Sequence, residues 1–331
     1  MNQPERFLRI ALICLFGLMM ATCQKQDLNT DADFELKALS TELSITTDYL
    51  TELKGDIEFM INDGLLSKGN GNALIVKINN AIKSISKGNM SASDGQLNAF
   101  IYATEEFIST GVIPAEEGQE LISSAENAII LSDGGVLDPG DGYVYPVILV
   151  GEQLWMAEDL RATKFNDGTD IPFIFVNNSS DFENLTTPGY FWYNNDYDNY
   201  GTVYGALYNW YAVNSGKLCP SGWHVPADAE WTTLTNYLGE DFAADKLKEA
   251  GTMHWLSPNS GTNETGFTAL PGGACTGYGP FAFIGEFGHW WTATEADRSN
   301  ALLRWMVNEG TMVARIPYWK SSGLSVRCLK D

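Results

Sequence analysis

The amino-acid sequence predicts two dissimilar folding units: an all-α helical bundle followed by an α+β domain of mixed sheet and short helices. Three observations carry that reading. Between about residues 50 and 131, apolar side chains recur at helical spacing. All ten tryptophans lie at or beyond Trp155, so the two halves have cores of different composition. Between them run Ser132-Asp133-Gly134-Gly135 and Asp138-Pro139-Gly140-Asp141-Gly142, which are turn-forming and show no apolar periodicity. The expected organisation is a helical module over 45–132, a linker over 133–142 and a second domain over 143–331.

The chain opens with the marks of export. Arg6 and Arg9 form a short basic start, and 10–20 is an apolar run shorter than the roughly 20 residues a bilayer span needs. Gln24, Lys25, Gln26 and Asp27 follow at once, so no stop-transfer flank exists. A cleaved signal peptide over 1–22 is expected. Met20-Ala21-Thr22-Cys23 resembles a lipobox, where cleavage precedes a cysteine that then carries a diacylglycerol. It departs from that pattern in Met20, where leucine is usual, and in Thr22, where glycine or alanine is usual. The resemblance implies lipidation at Cys23, a tether over 23–44 and a membrane partner reached through the lipid. The implied location is the cell envelope, at the outer membrane, facing the periplasm or the cell surface. The competing reading is ordinary cleavage nearby, with Cys23 lost or unmodified; in both, the mature chain lies outside the cytoplasm.

Four helices follow. Leu50, Leu53, Ile57 and Ile61 supply the first apolar stripe, and Leu74, Ile78, Ile82 and Ile85 the second. Leu97, Ile101 and Ile108 mark the third, and Leu121, Ala125 and Ile129 the fourth. Breaks are expected at Gly64, Lys68-Gly69-Asn70-Gly71, Lys87-Gly88-Asn89 and Gly111. Ser93 is placed to cap the third helix, and Pro114 to sit in the first turn of the fourth. Gly71-Asn72-Ala73-Leu74, Lys77-Ile78, Gln96-Leu97-Asn98-Ala99-Phe100 and Leu121-Ile122 resemble FIMAH modules, helical spacers of secreted multidomain bacterial proteins. That resemblance implies a spacer, or else a partner-binding helix face.

The second domain reads differently. Residues 147–150 and 153–156 form a hairpin turning at Gly151-Glu152, and Asn166-Asp167-Gly168 is a turn. A helix starts near Asp228 and carries Leu234 and Leu238; a second short helix covers 241–249. Residues 301–307 and 311–315 form a hairpin about Asn308-Glu309-Gly310, and 324–329 a closing strand. Strands with inserted helices and long turns make an α+β architecture.

Charge and cysteine usage bound the function. The chain carries net −22, and −23 once residues 1–22, with net +1, are removed. Nucleic acid needs a basic footprint, so it is excluded as a partner. After removal of Cys14 and use of Cys23, three cysteines remain: Cys219, Cys275 and Cys328, enough for one disulfide and one odd thiol. No C-x-x-C or Cys/His metal spacing occurs. Cys275 has no base nearby in sequence to make it nucleophilic, and His224, His254 and His289 fall in no hydrolase motif. No catalytic residue is assigned. The run 194–201 holds Asp196 and Asp198 among amides, hard oxygen ligands of the kind calcium takes, without a spaced calcium-loop frame. Trp192, Trp290 and Trp291, with Tyr190 and Tyr193, are candidate stacking surfaces for sugar rings, against the ordinary role of large aromatics as core. Strand alternation over 287–295 sends one of Trp290 and Trp291 inward and leaves the other for a surface.

Six blocks then resemble one family in order. They are 151–160 (GEQLWMAEDL), 204–213 (YGALYNWYAV), 219–226 (CPSGWHVP), 266–273 (GFTALPGG), 290–295 (WWTATE) and 325–328 (SVRC). Over about 143–331 the chain resembles the Fibrobacter succinogenes major paralogous domain, carried by secreted and lipid-anchored proteins of Bacteroidetes-type bacteria. The resemblance implies a Cys219–Cys328 disulfide, since both are the family's cysteines, and implies no enzymatic activity. Residues 226–231 and Val326-Arg327-Cys328 are similar, more distantly, to the formylglycine-generating enzyme and C-type lectin folds. The functional expectation is a non-enzymatic envelope lipoprotein that binds a glycan or a surface protein. The competing expectations are an enzyme on the formylglycine-generating-type fold and a purely structural envelope protein.

Overall fold

The computed structural model describes residues 46–276 and 279–331; the expected signal peptide, Cys23 and the tether lie outside the described residues. The chain divides into two compact units, 1–132 and 133–331. The architecture is a helical bundle plus an α+β domain, as the patterning predicts.

The first unit consists of α1 (46–62), α2 (Lys68–Ile85), α3 (Met90–Ser109) and α4 (Ala115–Ser132). The apolar stripes meet in one core containing Leu50, Ile57, Leu74, Ile78, Leu97, Phe100, Leu121 and Ala125. Gly64, Gly88 and Gly111 close the helices with positive φ, as expected. Two local expectations are corrected. Ser93 does not cap α3; Asn89 does, its side chain accepting from the Ala92 N–H at 3.1 Å, while Ser93 is buried in the first turn. Lys68-Gly69-Asn70-Gly71 is not a break but the first turn of α2, capped by the Ser67 hydroxyl, which accepts from the Asn70 N–H at 3.2 Å. Gly71 is there for close approach: a Cβ would stand 2.3 Å from Ile61 Cδ1 on α1. Pro114 stands just before α4, its carbonyl accepting from the Gly118 N–H at 3.0 Å.

The second unit is built on two sheets. One runs β3 (Val147–Val150), β4 (Gln153–Met156), β13 (Leu329–Lys330), β7 (Trp223–His224). The other is the antiparallel meander β10 (Phe287–Glu295), β11 (Asn300–Val307), β12 (Ala314–Trp319). Smaller pairs are β1 (Val136–Leu137) with β2 (Val144–Tyr145), β5 (Tyr190–Phe191) with β6 (Leu207–Tyr208), and β8 (Ala274–Thr276) with β9 (Gly279–Ala282). The α-helices of four or more residues are α5 (Trp210–Val213), α6 (Asp228–Leu238) and α7 (Ala243–Leu247).

Three readings of this unit are corrected. Residues 133–142 are not a bare linker: β1 pairs with β2, Asp138 is buried, and its Oδ1 accepts from the Gly140 N–H at 2.8 Å. Segment 324–329 is not one strand, because its residues serve different partners: Leu324 bridges Tyr208, Ser325 bridges Trp290, and Leu329 pairs with Trp155 and His224. The β11–β12 register pairs Trp305 with Ala314, so the connection is wider than Asn308-Glu309-Gly310. Its carbonyls are held by the buried Lys248 ammonium, 2.9 Å from Asn308 O and 2.8 Å from Gly310 O.

Cys219 and Cys328 are joined, with Cα atoms 6.0 Å apart and a sequence separation of 109. Closing a loop of that length stabilises by about 4–5 kcal/mol in the chain-entropy account. Beside it, Arg327 is buried with Asp159: Arg327 Nε donates to Asp159 Oδ1 at 2.7 Å, and the Trp290 N–H donates to the same oxygen at 2.9 Å. Burial pushes the Asp159 carboxyl up, and Arg327 and Trp290 pull it back. Breaking such a pair from one side costs about 3–5 kcal/mol, because a buried charge is left alone.

Candidate functional site

The structure separates the residues singled out in the sequence. Trp290 and Trp291 are both fully buried, which corrects the expectation that alternation frees one of them. Both faces of β10 are covered: Trp290 packs with Trp155, Trp231 and Phe267, and Trp291 with Tyr208, Ala301 and Val326. Trp192 is also largely buried, edge-on to Tyr190 and Tyr197. None of the three presents an open stacking face.

The Asp196 carboxylate is spent locally, accepting from the Asn199 N–H at 3.0 Å and from its side-chain amide at 2.7 Å. Among the described residues no group of three or more acidic, histidine or cysteine side chains could hold a metal. Cys275 is an unpaired, buried cysteine whose thiol burial pushes well up, the opposite of an activated nucleophile. His289 is held neutral, pushed down to about 4 by burial. His224 lies between Asp331 (2.6 Å) and Glu230 (3.0 Å), tying β7 to the start of α6.

Elsewhere on the second unit lies an open surface cleft of about 620 Å3. Its rim is Trp319, at the end of β12 and 48 % exposed. One wall is the loop Glu183-Asn184-Leu185-Thr186, seated by the Leu185 N–H on Phe182 O at 2.9 Å over buried Phe182. Tyr211 of α5, Ser321, and Arg298 and Ser299 of the β10–β11 turn complete the lining. The Arg298 guanidinium and the Glu183 carboxylate have no partner among the described residues.

Buried polar groups fix these walls. Asn209, fully buried, donates to Thr187 O at 2.9 Å and accepts from the Gly189 and Ala212 N–H groups at 3.1 Å. One side chain thus locks the 183–189 loop to the first turn of α5. Lys320, also buried, donates from Nζ to Arg298 O at 3.0 Å and from its backbone N–H to Ser299 O at 3.0 Å. Its ammonium lies 4.7 Å from the centre of the Trp210 ring and pairs with Glu295. Asp297 Oδ1 accepts from the Ser299 and Asn300 N–H groups at 2.7 and 2.9 Å, which sets the turn that carries Arg298.

Sequence reasoning missed this cleft. Its one local signal is Asp297-Arg298-Ser299-Asn300, an aspartate placed to cap its own turn. The rest comes from four segments, spread between Glu183 and Ser321, that only the fold brings together.

Compared with known proteins, residues 148–330 match the family model described as Fibrobacter succinogenes major domain. No curated protein and no solved structure gives a significant match.

Proposed function

Because the chain belongs to the Fibrobacter succinogenes major domain family over 148–330, we propose that it is a non-catalytic binding module of the cell envelope that takes a sugar in the Trp319 cleft. The observation that carries this reading is the lining itself. A half-exposed indole at the rim offers an apolar face to sugar C–H groups, and Arg298, Glu183, Asn184 and Ser299 offer charged and neutral partners to hydroxyls. Walls already fixed by Asn209 and Lys320 reduce the ordering cost of binding. The helical unit then acts as a spacer, and Cys23 as the lipid-modified attachment to the outer membrane.

Screening the purified protein on a glycan array, followed by titration of the sugars retained, tests the reading. Trp319→Ala is expected to weaken binding roughly tenfold or more while leaving the thermal midpoint unchanged. Retention of no glycan, or equal affinity in the variant, would sink it. For the attachment, a fatty-acid analogue fed to cells should label the wild type and not Cys23→Ala.

A further inference from the structure

A second surface lies outside the cleft, on segment 172–176. Its alternate residues face inward: Ile174 and Val176 pack into the core with Phe182, Phe191 and Leu207. The inner edge is engaged at four points. The Ile174 N–H donates to Tyr190 O at 2.8 Å, the Tyr190 N–H donates to Pro172 O at 3.0 Å, and the Asn195 side chain brackets the Val176 N–H and C=O at 2.9 and 2.8 Å. The segment therefore joins β5 by one parallel bridge, Phe173 beside Tyr190. Its outer edge is bare. The N–H and C=O groups of Phe173 and Phe175 bond to nothing among the described residues.

Natural sheets blunt such an edge with lysine, a bulge or a covering loop, because open edges recruit other strands. Here the two edge residues are phenylalanines, 41 % and 58 % exposed. They head a continuous row of rings, Phe175, Phe173, Tyr190, Trp192 and Tyr197, with successive centroids 6.4, 5.4, 5.3 and 4.8 Å apart. Neighbouring rings are steeply inclined to one another, so the row is not a flat platform of the kind a sugar chain stacks on; its exposed members, Phe175, Phe173 and Tyr197, offer ring surface to side chains, while Tyr190 and Trp192 are buried beneath them. Carboxylates stand at both ends: exposed Asp170 before the segment, and Asp181 after it, whose Oδ2 accepts from the Asn177 and Asn178 N–H groups.

We propose that the outer edge of 172–176 binds an extended, arginine-bearing segment of another protein as an added β-strand. Backbone pairing to Phe173 and Phe175 supplies the register, and guanidinium groups find aromatic faces and terminal carboxylates. A chain of net −22 favours such a basic partner.

The test titrates the purified protein with three short synthetic peptides of equal length: alternating Arg and Val, alternating Glu and Val, and the Arg–Val peptide N-methylated at alternate residues. The Arg–Val peptide is expected to bind and to slow hydrogen exchange at the Phe173 and Phe175 amides. N-methylation, which removes the pairing donors, is expected to weaken it roughly tenfold or more, and the Glu–Val peptide to lose binding. Phe175→Pro, which deletes an outward N–H, should abolish peptide binding and leave sugar binding at the cleft unchanged. The proposal is overturned by absence of Arg–Val binding, by equal affinity for the N-methylated or Glu–Val peptide, by unchanged exchange at those two amides, or by edge-to-edge dimerisation of this chain. Should Phe175→Pro not fold, the peptide comparisons on the wild type decide alone.

Discussion

Asp138 holds a carboxyl group almost out of reach of water, and its titration follows. Burial pushes its pKa up to about 6, Gly140 lowers it through its N–H, and neighbouring Asp141 raises it again. An unfolded aspartate titrates near 3.9, so between about pH 4 and 6 the native state binds a proton that the unfolded state has lost. Stability therefore falls as pH rises through that window and stays lowered at neutrality. Asp138→Asn keeps an oxygen for the Gly140 N–H and cannot ionise. It should be more stable than wild type at pH 7, on the order of 2 kcal/mol, with the difference vanishing near pH 4. Thermal midpoints of both proteins at the two pH values check this; a difference independent of pH would count against it. His289 acts in the opposite sense, losing stability as pH falls from about 6.5 toward 4, but it is common to both proteins and cancels. At this scale the sequence was legible where chemistry is local, as in the Gly168 turn. It was misleading at Trp290 and Trp291, because alternation reports which face a side chain takes and not whether that face is covered. Lys248 was invisible, its carbonyl partners lying some 60 residues away in the chain.

Among the elements, the segment 204–206 shows how backbone proximity dictates a residue. Gly205 has φ +74°, and a Cβ there would stand 2.7 Å from Leu160 O and 2.9 Å from Asp159 O. The Ala206 N–H donates to Leu160 O at 2.9 Å, so the two strands of chain cannot part without losing that bond and disturbing Asp159. Gly168 has φ +82° with open space around it. Gly168→Ala should therefore cost only the conformational penalty, about 1 kcal/mol, whereas Gly205→Ala adds a clash with fixed backbone and should exceed about 3 kcal/mol. Denaturant midpoints rank them; equal losses would show that conformation alone matters. Helix periodicity made all four helices of the first unit legible, together with the hairpin of β3 and β4 and the helix α6. Glycine's two uses are not separable from sequence, and so Gly71, a close-contact residue, reads as a helix stop. Segment 324–329 reads as one strand because composition does not reveal that its residues serve several partners.

For the whole molecule, cores of different chemistry predict separable folding. The helical core contains no tryptophan, whereas the second unit buries Trp155, Trp231, Trp255, Trp290 and Trp291. A fragment 133–331 should unfold cooperatively by tryptophan fluorescence, and 46–132 should give a helical spectrum. Because β1 and the Asp138 turn belong to the second unit, a fragment starting at 143 should melt lower than one starting at 133. Insolubility of both 46–132 and 133–331 beside a soluble full chain would refute the separation. The division into halves was legible from tryptophan placement and apolar period. The boundary was not, because a turn-rich composition is shared by loose linkers and by tight hairpins such as β1–β2.

The position of β13 has a consequence in time. It occupies the middle of its sheet, between β4 and β7, yet it follows both in the chain. At about 5–20 residues per second of synthesis, the interval between residues 224 and 330 lasts on the order of 5–20 s. The helical unit has all its parts by residue 132 and can close early. The sheet of the tryptophan unit must wait with its central seat empty until residues 329 and 330 arrive. Any factor that shields this protein from aggregation during its birth has that interval, and that unfinished sheet, as its target.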